Sequence, residues 1–318
     1  MRLHRQLPLL EDRGASAAIG NFDGVHLGHQ AVLDVARAEA RRLGAPLGVV
    51  TFEPHPREYF QPDAPPFRLM SPAARASRLA KLGVDVLVEL PFDAALASLT
   101  ADAFAGEILH RGLGLAHAVV GRDFRFGKGR AGDPEALARL GERLGFGVSV
   151  APMVEIGGKV SSTRIREALA EGRPREAARM LGHIHRVEGE VVHGDKRGRT
   201  LGYPTANLDL AGLHLPRFGV YAVTVDVLTG AHRGTHMGAA SLGTRPMFGE
   251  NRPNLETHLL DFEGDLYGER LSVGLIEFLR PEATFPSMEA FLARMAEDCA
   301  QARAILAGPP PAARAAHP

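Results

Sequence analysis

The feature that most limits how this chain can fold is a change, part-way along, in the period of its apolar residues. Over roughly the first 150 residues, short apolar runs at 17–20, 47–52, 84–90, 116–120 and 147–152 alternate with longer amphipathic stretches. Strand-length runs separated by helical patterns predict βαβ units, and so a parallel sheet with helices on its faces. Helices are expected over 30–43, 72–82, 101–111 and 134–144. In the first of these, Val32, Ala36, Ala40 and Leu43 recur at helical spacing.

After Thr163 the pattern differs. Two short helices, 164–169 and 174–181, are followed by strand-like segments at 186–193, 219–227, 232–242, 255–262 and 271–278 with no long helix between them. That order predicts an antiparallel sheet or small β-barrel. A closing helix over 287–306 places Met288, Phe291, Met295, Cys299, Ala302 and Leu306 on one stripe, which predicts packing across the barrel and a core position for Cys299. The expected fold class is thus α/β plus β. The domains expected are 1–184 and 185–308, with a disordered tail at 309–318 opened by three prolines.

Charge and composition narrow the function classes. Thirty-seven basic residues balance thirty-seven acidic ones, and aromatics are 6% of the chain. That balance predicts no nucleic-acid and no membrane partner, and suits a small anionic ligand better. The single cysteine cannot form an internal disulfide, no apolar run approaches the length of a membrane span, and residues 1–13 are polar. A cytoplasmic location is expected.

Between the first strand and the first long helix stands Gly20-Asn21-Phe22-Asp23-Gly24-Val25-His26-Leu27-Gly28-His29. Open α/β sheets bind ligands at this place, where helix amides point at anions. Gly20, Gly24 and Gly28 allow close backbone approach, and His26 and His29 can donate ring N–H groups to phosphate oxygens. A zinc pair would need further ligands, and no His-Glu-x-x-His or cysteine cluster supplies them, while satisfied structural histidines alone would not explain three glycines around them. A second cluster, Ser161-Ser162-Thr163-Arg164-Ile165-Arg166, opens a short helix. Its hydroxyls suit a helix cap, and its two arginines suit a second phosphate clamp.

Two glycine-rich segments read as binding loops or as plain exposed hairpins. One, 121–133, mixes glycines with Arg122, Arg125, Lys128 and Arg130. The other, 189–208, carries Gly194, Lys196, Gly198, Arg199, Thr200 and Gly202 before Pro204-Thr205-Ala206-Asn207, a composition that can free backbone amides for phosphate. Residues 51–56, Thr-Phe-Glu-Pro-His-Pro, read alone as a strand breaking into a loop.

Taken together these blocks resemble the bacterial bifunctional riboflavin kinase/FMN adenylyltransferase family, over about residues 17–306. The resemblance implies a Rossmann-like nucleotidyltransferase domain followed by a riboflavin-kinase barrel closed by a helix. It implies that riboflavin, FMN, FAD and ATP are the ligands and that Mg2+ accompanies ATP. By resemblance, Gly20, Asn21, Phe22, Asp23, Gly24, Gly28, Ser161, Ser162, Thr163 and Arg166 bind nucleotide, with His26, His29 and Arg164 catalytic in adenylyl transfer. It further implies a flavin site at Phe52, His55, Asp123, Phe124 and Arg125, a kinase nucleotide loop at Gly194, Lys196, Gly198, Arg199 and Thr200, and metal ligands in Thr205 and Asn207.

The kinase base implied by the resemblance is Glu256, in the segment 254–262. On a strand, residues 256, 258 and 260 share one face, so a Glu, a His and a Leu point together. By itself that segment reads as an exposed strand face. Met247 departs from the family, which usually has threonine there. Lys159 stands where some relatives carry arginine. The chemistry of the two steps differs: an alcohol attacking phosphorus benefits from a base, whereas FMN phosphate is already largely ionised, with a second pKa of about 6.

Overall fold

A computed structural model describes residues 1–7, 13–192, 203–247 and 250–308, and the main chain alone at 245–247 and 250–252. The tail expected at 309–318 lies outside the described residues. By internal contacts the chain divides into two compact units, Met1–Pro65 with Pro72–Val160, and Pro66–Ser71 with the described residues from Ser161 onward.

In the first unit β1 (Arg2–His4), β2 (Ser16–Ile19), β3 (Leu47–Glu53), β4 (Val86–Pro91), β5 (His117–Gly121) and β6 (Gly147–Ala151) form one sheet. The order is β1-β4-β3-β2-β5-β6 and every pairing is parallel. β2 and most of β3 are buried throughout, as strands covered on both faces must be. The chain runs from β2 outward to β3 and β4, then returns to the other side of β2 for β5. The loop after β2 therefore leaves the sheet at its topological switch point. The edge strand β1 falls in the polar start, where no element was expected.

α1 (Leu27–Leu43) begins three residues before the expected 30, because His26 caps it. Its buried face is Val32, Leu33, Ala36 and Ala40, while Leu43 is 40% exposed. Leu43 thus leaves the stripe assigned to it in the last turn, where Gly44 takes a left-handed conformation at φ 65°. α2 (Pro56–Phe60) and α4 (Ala94–Ser98) are short helices beyond the expected set. α3 (Pro72–Lys81) and α6 (Pro134–Leu144) match their patterns.

The helix expected over 101–111 is α-helical only in α5 (Ala101–Ala103) and continues as a π-helix over Phe104–Gly112. The wider turn carries the core face from Phe104 and Ala105 to Leu109, five and four residues on, leaving Ile108 half-buried.

The second unit opens with α7 (Ser162–Ala170) and α8 (Pro174–Leu181). Then come β7 (Arg186–Glu190), β8 (Ala206–Asp209), β9 (Gly219–Val227), β10 (Gly234–Met247), β11 (Glu250–Leu259) and β12 (Arg270–Arg280), in the antiparallel order β7-β12-β9-β10-β11-β8. A bridge between Val192 and Asn207, with the Val192 N–H donating to the Asn207 carbonyl at 3.0 Å, brings the two edges together. The result is a nearly closed barrel around Tyr221, Val223, Leu255, Val273 and Leu275.

Two details differ from the sequence reading. β11 stops at Leu259, so Leu260 does not share a strand face with Glu256 and His258. It is buried past the strand end, where its N–H donates to the Met237 carbonyl at 2.8 Å. α9 (Met288–Leu306) is not docked by the whole stripe: Met288 is 52% exposed, and the buried positions are Asp298 and Ala302. Asp298 receives a forked hydrogen bond from Arg280 at 2.7–3.0 Å, and Ala302 meets Ala222 and Ala239. Cys299 packs beside that alanine contact half-buried, and burial pushes its thiol pKa up. Among the described residues no helix is long and apolar enough to cross a membrane.

His185, 5% exposed at the head of the barrel, has its imidazole pKa lowered to about 3, by burial first and by His183 and His214 second. A depressed histidine pKa means that the unfolded chain binds the proton first. The stability it contributes is complete above about pH 6.5 and is lost as the pH falls toward 3. Between pH 7 and pH 5 that single group withdraws about 2 kcal/mol from the second unit. Urea unfolding at the two pH values should show the loss, and His185→Leu should flatten it.

Candidate functional site

The loop after β2 is shaped by three left-handed residues in four, Phe22 at φ 53°, Gly24 at 86° and Val25 at 41°. The two non-glycine residues hold that costly conformation because their side chains are buried, at 1% for Phe22 and 0% for Val25. Framework side chains fix the loop backbone. Thr51 Oγ1 donates to the Asn21 carbonyl at 3.1 Å, and Gln30 Nε2 donates to the Val25 carbonyl at 2.9 Å. Asp23 is buried at 6% exposure.

His26 closes the loop as the N-cap of α1. Its Nδ1 accepts the His29 N–H at 3.2 Å, which leaves the ring proton of the neutral form on Nε2. The two imidazoles stack with centroids 3.7 Å apart and planes 15° from parallel, and Phe22 covers His29 at 5.0 Å. His29 Nδ1 is buried with no hydrogen-bond partner. Burial, and then the neighbouring His26, hold the His29 pKa well below the ordinary histidine value, so the ring is a neutral donor near pH 7. Gly28 has a steric reason: a Cβ there would lie 3.0–3.1 Å from the His26 ring. Gly20 would meet only ordinary contacts with Phe22.

The loop after β5 reaches the same histidine. Lys159 Nζ donates to Asp123 Oδ2 at 2.7 Å, and that bond, with the charges of Lys159 and His26, holds the Asp123 carboxyl below its usual range against desolvation. Phe124 stacks on Phe126 at 5.5 Å, and Arg125 donates to the Phe124 carbonyl at 3.4 Å. His55, which by itself reads as a surface residue, N-caps α2 in a capping box: its Nδ1 accepts the Arg57 N–H, and Glu58 accepts the His55 N–H. Phe52 packs against Phe92 and Phe104, and Tyr59 and Phe60 extend the group from Phe92 to the surface at 37% and 65% exposure.

Tyr59, Phe60, Phe92 and Phe104 went unmarked in the sequence, although their crowding near strand ends in an aromatic-poor chain was a usable signal. Arg75 and Glu89 went unmarked as well. A glutamate inside the apolar run 84–90 was the clue there.

Residues 161–166 belong to the second unit. Ser161 caps α7, its hydroxyl accepting the Arg164 N–H at 3.4 Å. Arg166 is engaged within the unit: Nε donates to the Phe67 carbonyl at 2.6 Å and the guanidinium lies 5.2 Å from the Phe67 ring centre. Ser162, Thr163 and Arg164 occupy the first turn of α7.

In the barrel, Glu256 of β11 stands opposite Asn207 of β8, with both in the middle of their ladder. Asn207 is 4% exposed, and its Oδ1 accepts from Asn254 Nδ2 at 3.1 Å. Glu256 and His258 share the half-buried face of β11, while Leu255, Thr257 and Leu259 face inward. His258 Nδ1 bonds the Pro204 carbonyl at 3.0 Å, and its ring meets Tyr203 edge-on at 5.2 Å. Thr205 and Asn207 line a recess of about 580 Å³, mouth included, with Phe262, Asp265 and Tyr267 on its other wall. Gly194, Lys196, Gly198, Arg199, Thr200 and Gly202 lie outside the described residues, as does the side chain of Met247. Among the described residues no group of three His, Cys, Asp or Glu is placed to hold a metal.

Comparison with known proteins fits this geometry. The FAD synthetase family model matches residues 10–164 and the riboflavin kinase family model matches residues 181–306. The chain belongs to the bifunctional riboflavin kinase/FMN adenylyltransferase family. It is 46% identical to the enzyme of that name from Pseudomonas fluorescens, over 96% of each chain. It is 42% identical to the one from Escherichia coli K12, over 91% of this chain and 92% of that one. A crystal structure described as a macrolide-efflux protein from Streptococcus pneumoniae shares the fold at TM-score 0.79 and 34% identity, over 90% of this chain and 92% of that one. This chain is accordingly an ATP-dependent enzyme with both activities of its family, phosphorylation of riboflavin to FMN and adenylylation of FMN to FAD.

Gly28→Ala tests the steric link between the loop and His26. A side chain there displaces the ring that caps α1, so FMN adenylylation should fall about 10-fold, the scale of a weakened charge-stabilising donor. Riboflavin phosphorylation, assayed separately, should be unchanged.

Proposed function

We propose that adenylyl transfer is carried by the stacked His26–His29 pair and that riboflavin phosphorylation is carried by Glu256. The observation that supports this division is the contrast in protonation chemistry. The first unit offers imidazole N–H donors at a helix start, with His29 held neutral by burial and its Nδ1 unpartnered, and the second offers a carboxylate beside Asn207.

In the kinase step the Glu256 carboxylate takes the proton of the terminal ribityl hydroxyl while that oxygen bonds to the γ-phosphorus and ADP leaves. Mg2+ is the metal proposed. Thr205 supplies a hydroxyl and Asn207 an amide oxygen with one lone pair beyond the Asn254 bond, a neutral donor set that suits an ion keeping its waters and phosphate ligands. Bound there, Mg2+ would neutralise charge on the ATP phosphates. Gly194, Lys196, Gly198, Arg199 and Thr200 are proposed to cover those phosphates.

In the adenylyl step a phosphate oxygen of FMN bonds to the α-phosphorus of ATP and pyrophosphate leaves. That oxygen is already ionised, so no base is needed. The chain's contribution is charge stabilisation: N–H donation from His26 Nε2 and His29, amides of residues 20–24 and 28, and the hydroxyls and cations of Ser161, Ser162, Thr163, Arg164 and Arg166. Asp23 is proposed to hold the turn. Phe52, His55, Asp123, Phe124 and Arg125 are proposed to receive the flavin, with exposed Tyr59 and Phe60 as an added stacking surface. The proposed functional division is 1–184 and 185–308, and the proposed location is the cytoplasm.

Chromatography of riboflavin incubated with magnesium ATP tests the assignment. Glu256→Gln should slow FMN formation about 10²- to 10⁴-fold and leave FMN-to-FAD conversion intact. His29→Ala should do the reverse, by about 10²- to 10³-fold. Loss of both activities in either variant, with the fold retained, would show that the sites are not independent.

A further inference from the structure

One buried side chain, unused in the chemistry above, ties together the carboxyl ends of β2, β3 and β4. Arg75 of α3 is 3% exposed. Its Nη2 donates to Glu89 Oε1 at 2.7 Å and to Glu53 Oε2 at 3.1 Å, and its Nη1 reaches the Asn21 carbonyl at 3.4 Å. Two of the partners lead into the proposed site. Asn21 enters the loop that carries His26 and His29, and its carbonyl also accepts from Thr51. Glu53 ends β3 at the entrance to the Pro54-His55-Pro56 turn, and Glu89 lies beside Thr51 in the β3–β4 ladder.

A buried guanidinium and carboxylate are a poor source of stability, because desolvation consumes most of their attraction and a well-packed apolar pair is often as stable or more so. Glu89 sits in a strand whose neighbours Val86, Leu87, Val88 and Leu90 are all buried and apolar, so an apolar residue would suit the site. What an apolar pair cannot do is hydrogen-bond the Asn21 carbonyl immediately ahead of left-handed Phe22, Gly24 and Val25.

We propose that Arg75 is a positioning residue for adenylyl transfer. Anchored by Glu89 and Glu53, it fixes the start of the ATP-phosphate loop against the start of the flavin turn, and so sets the approach of the FMN phosphate to the α-phosphorus. This rests on the assignment of residues 20–29 to the adenylyl step. Approach geometry governs the rate of the bound complex more than its formation, and a displacement of about 1 Å costs about 100-fold. The effect belongs in kcat, with KM for FMN and ATP little changed.

The test is the pair Arg75→Met/Glu89→Leu in the full-length chain, with Arg75→Lys, His29→Ala and the wild type alongside. Glu53 is 29% exposed, so water takes over its solvation in the double variant. The expected result is a urea midpoint at or above wild type, unchanged riboflavin phosphorylation, and a kcat for FMN adenylylation lower by about 100-fold. Arg75→Lys, which keeps the charge and a donor, should recover much of that rate. A double variant with wild-type kcat overturns the proposal. So does a loss that strikes both activities in step with stability, which would mark Arg75 as structural only. Should His29→Ala leave adenylylation intact, the loop assignment itself falls, a failure distinct from Arg75→Met/Glu89→Leu alone being silent.

Discussion

Much of the first unit depends on how α1 starts. Only residues 20–26 separate the end of β2 from the first residue of α1, and the first N–H groups of a helix have no partner inside it. Serine or aspartate is the common answer to that demand, and here the answer is the Nδ1 of His26. One bond thereby fixes the tautomer of His26, holds its ring against His29, and excludes a side chain at position 28. The left-handed turn ahead of it persists because Phe22 and Val25 are buried and because Thr51, Gln30 and Arg75 hold its carbonyls. The proposed phosphate loop is thus held in its shape by its surroundings.

The barrel meets a different constraint, the fate of its edges. β7 and β8 are brought together through Val192 and Asn207, so the strand carrying Asn207 pairs with β11 on one side and with the extension of β7 on the other. Asn207 is therefore held by main-chain bonds on both flanks and by Asn254 at its amide. Glu256, its ladder partner, inherits that rigidity while keeping an accessible face. The base proposed for the kinase step needs this combination, because it must reach substrate and must not wander.

The two proposed sites face opposite electrostatic problems. Where the nucleophile arrives ionised, imidazole and amide donors suffice and no base is needed. Where the nucleophile is an alcohol, a carboxylate is required and the metal donors can be neutral. Two buried ion pairs, Arg75 with Glu89 and Arg280 with Asp298, keep each ion's partner in reach.

The period of the apolar residues was enough to determine a parallel sheet followed by an antiparallel sheet or small barrel, because burial on both faces or on one face leaves its mark in the order of residues along each strand. The contact of Val192 with Asn207 decided for the barrel. The glycine and histidine spacing of residues 20–29 marked a candidate phosphate loop because that signal is local, whereas Thr205, Asn207 and Glu256 stood out only through the family resemblance. Contacts between distant segments decided the rest. In the π-helical stretch Phe104–Gly112, Phe104 packs against Phe52 and Phe126, and α9 is joined to β12 through Arg280 and Asp298. Arg75 is marked out only by its contacts at the ends of three strands. A hydrogen bond between residues fifty-four apart, as from Arg75 to Asn21, has no signature in either local sequence, because it exists only once the sheet has brought them together.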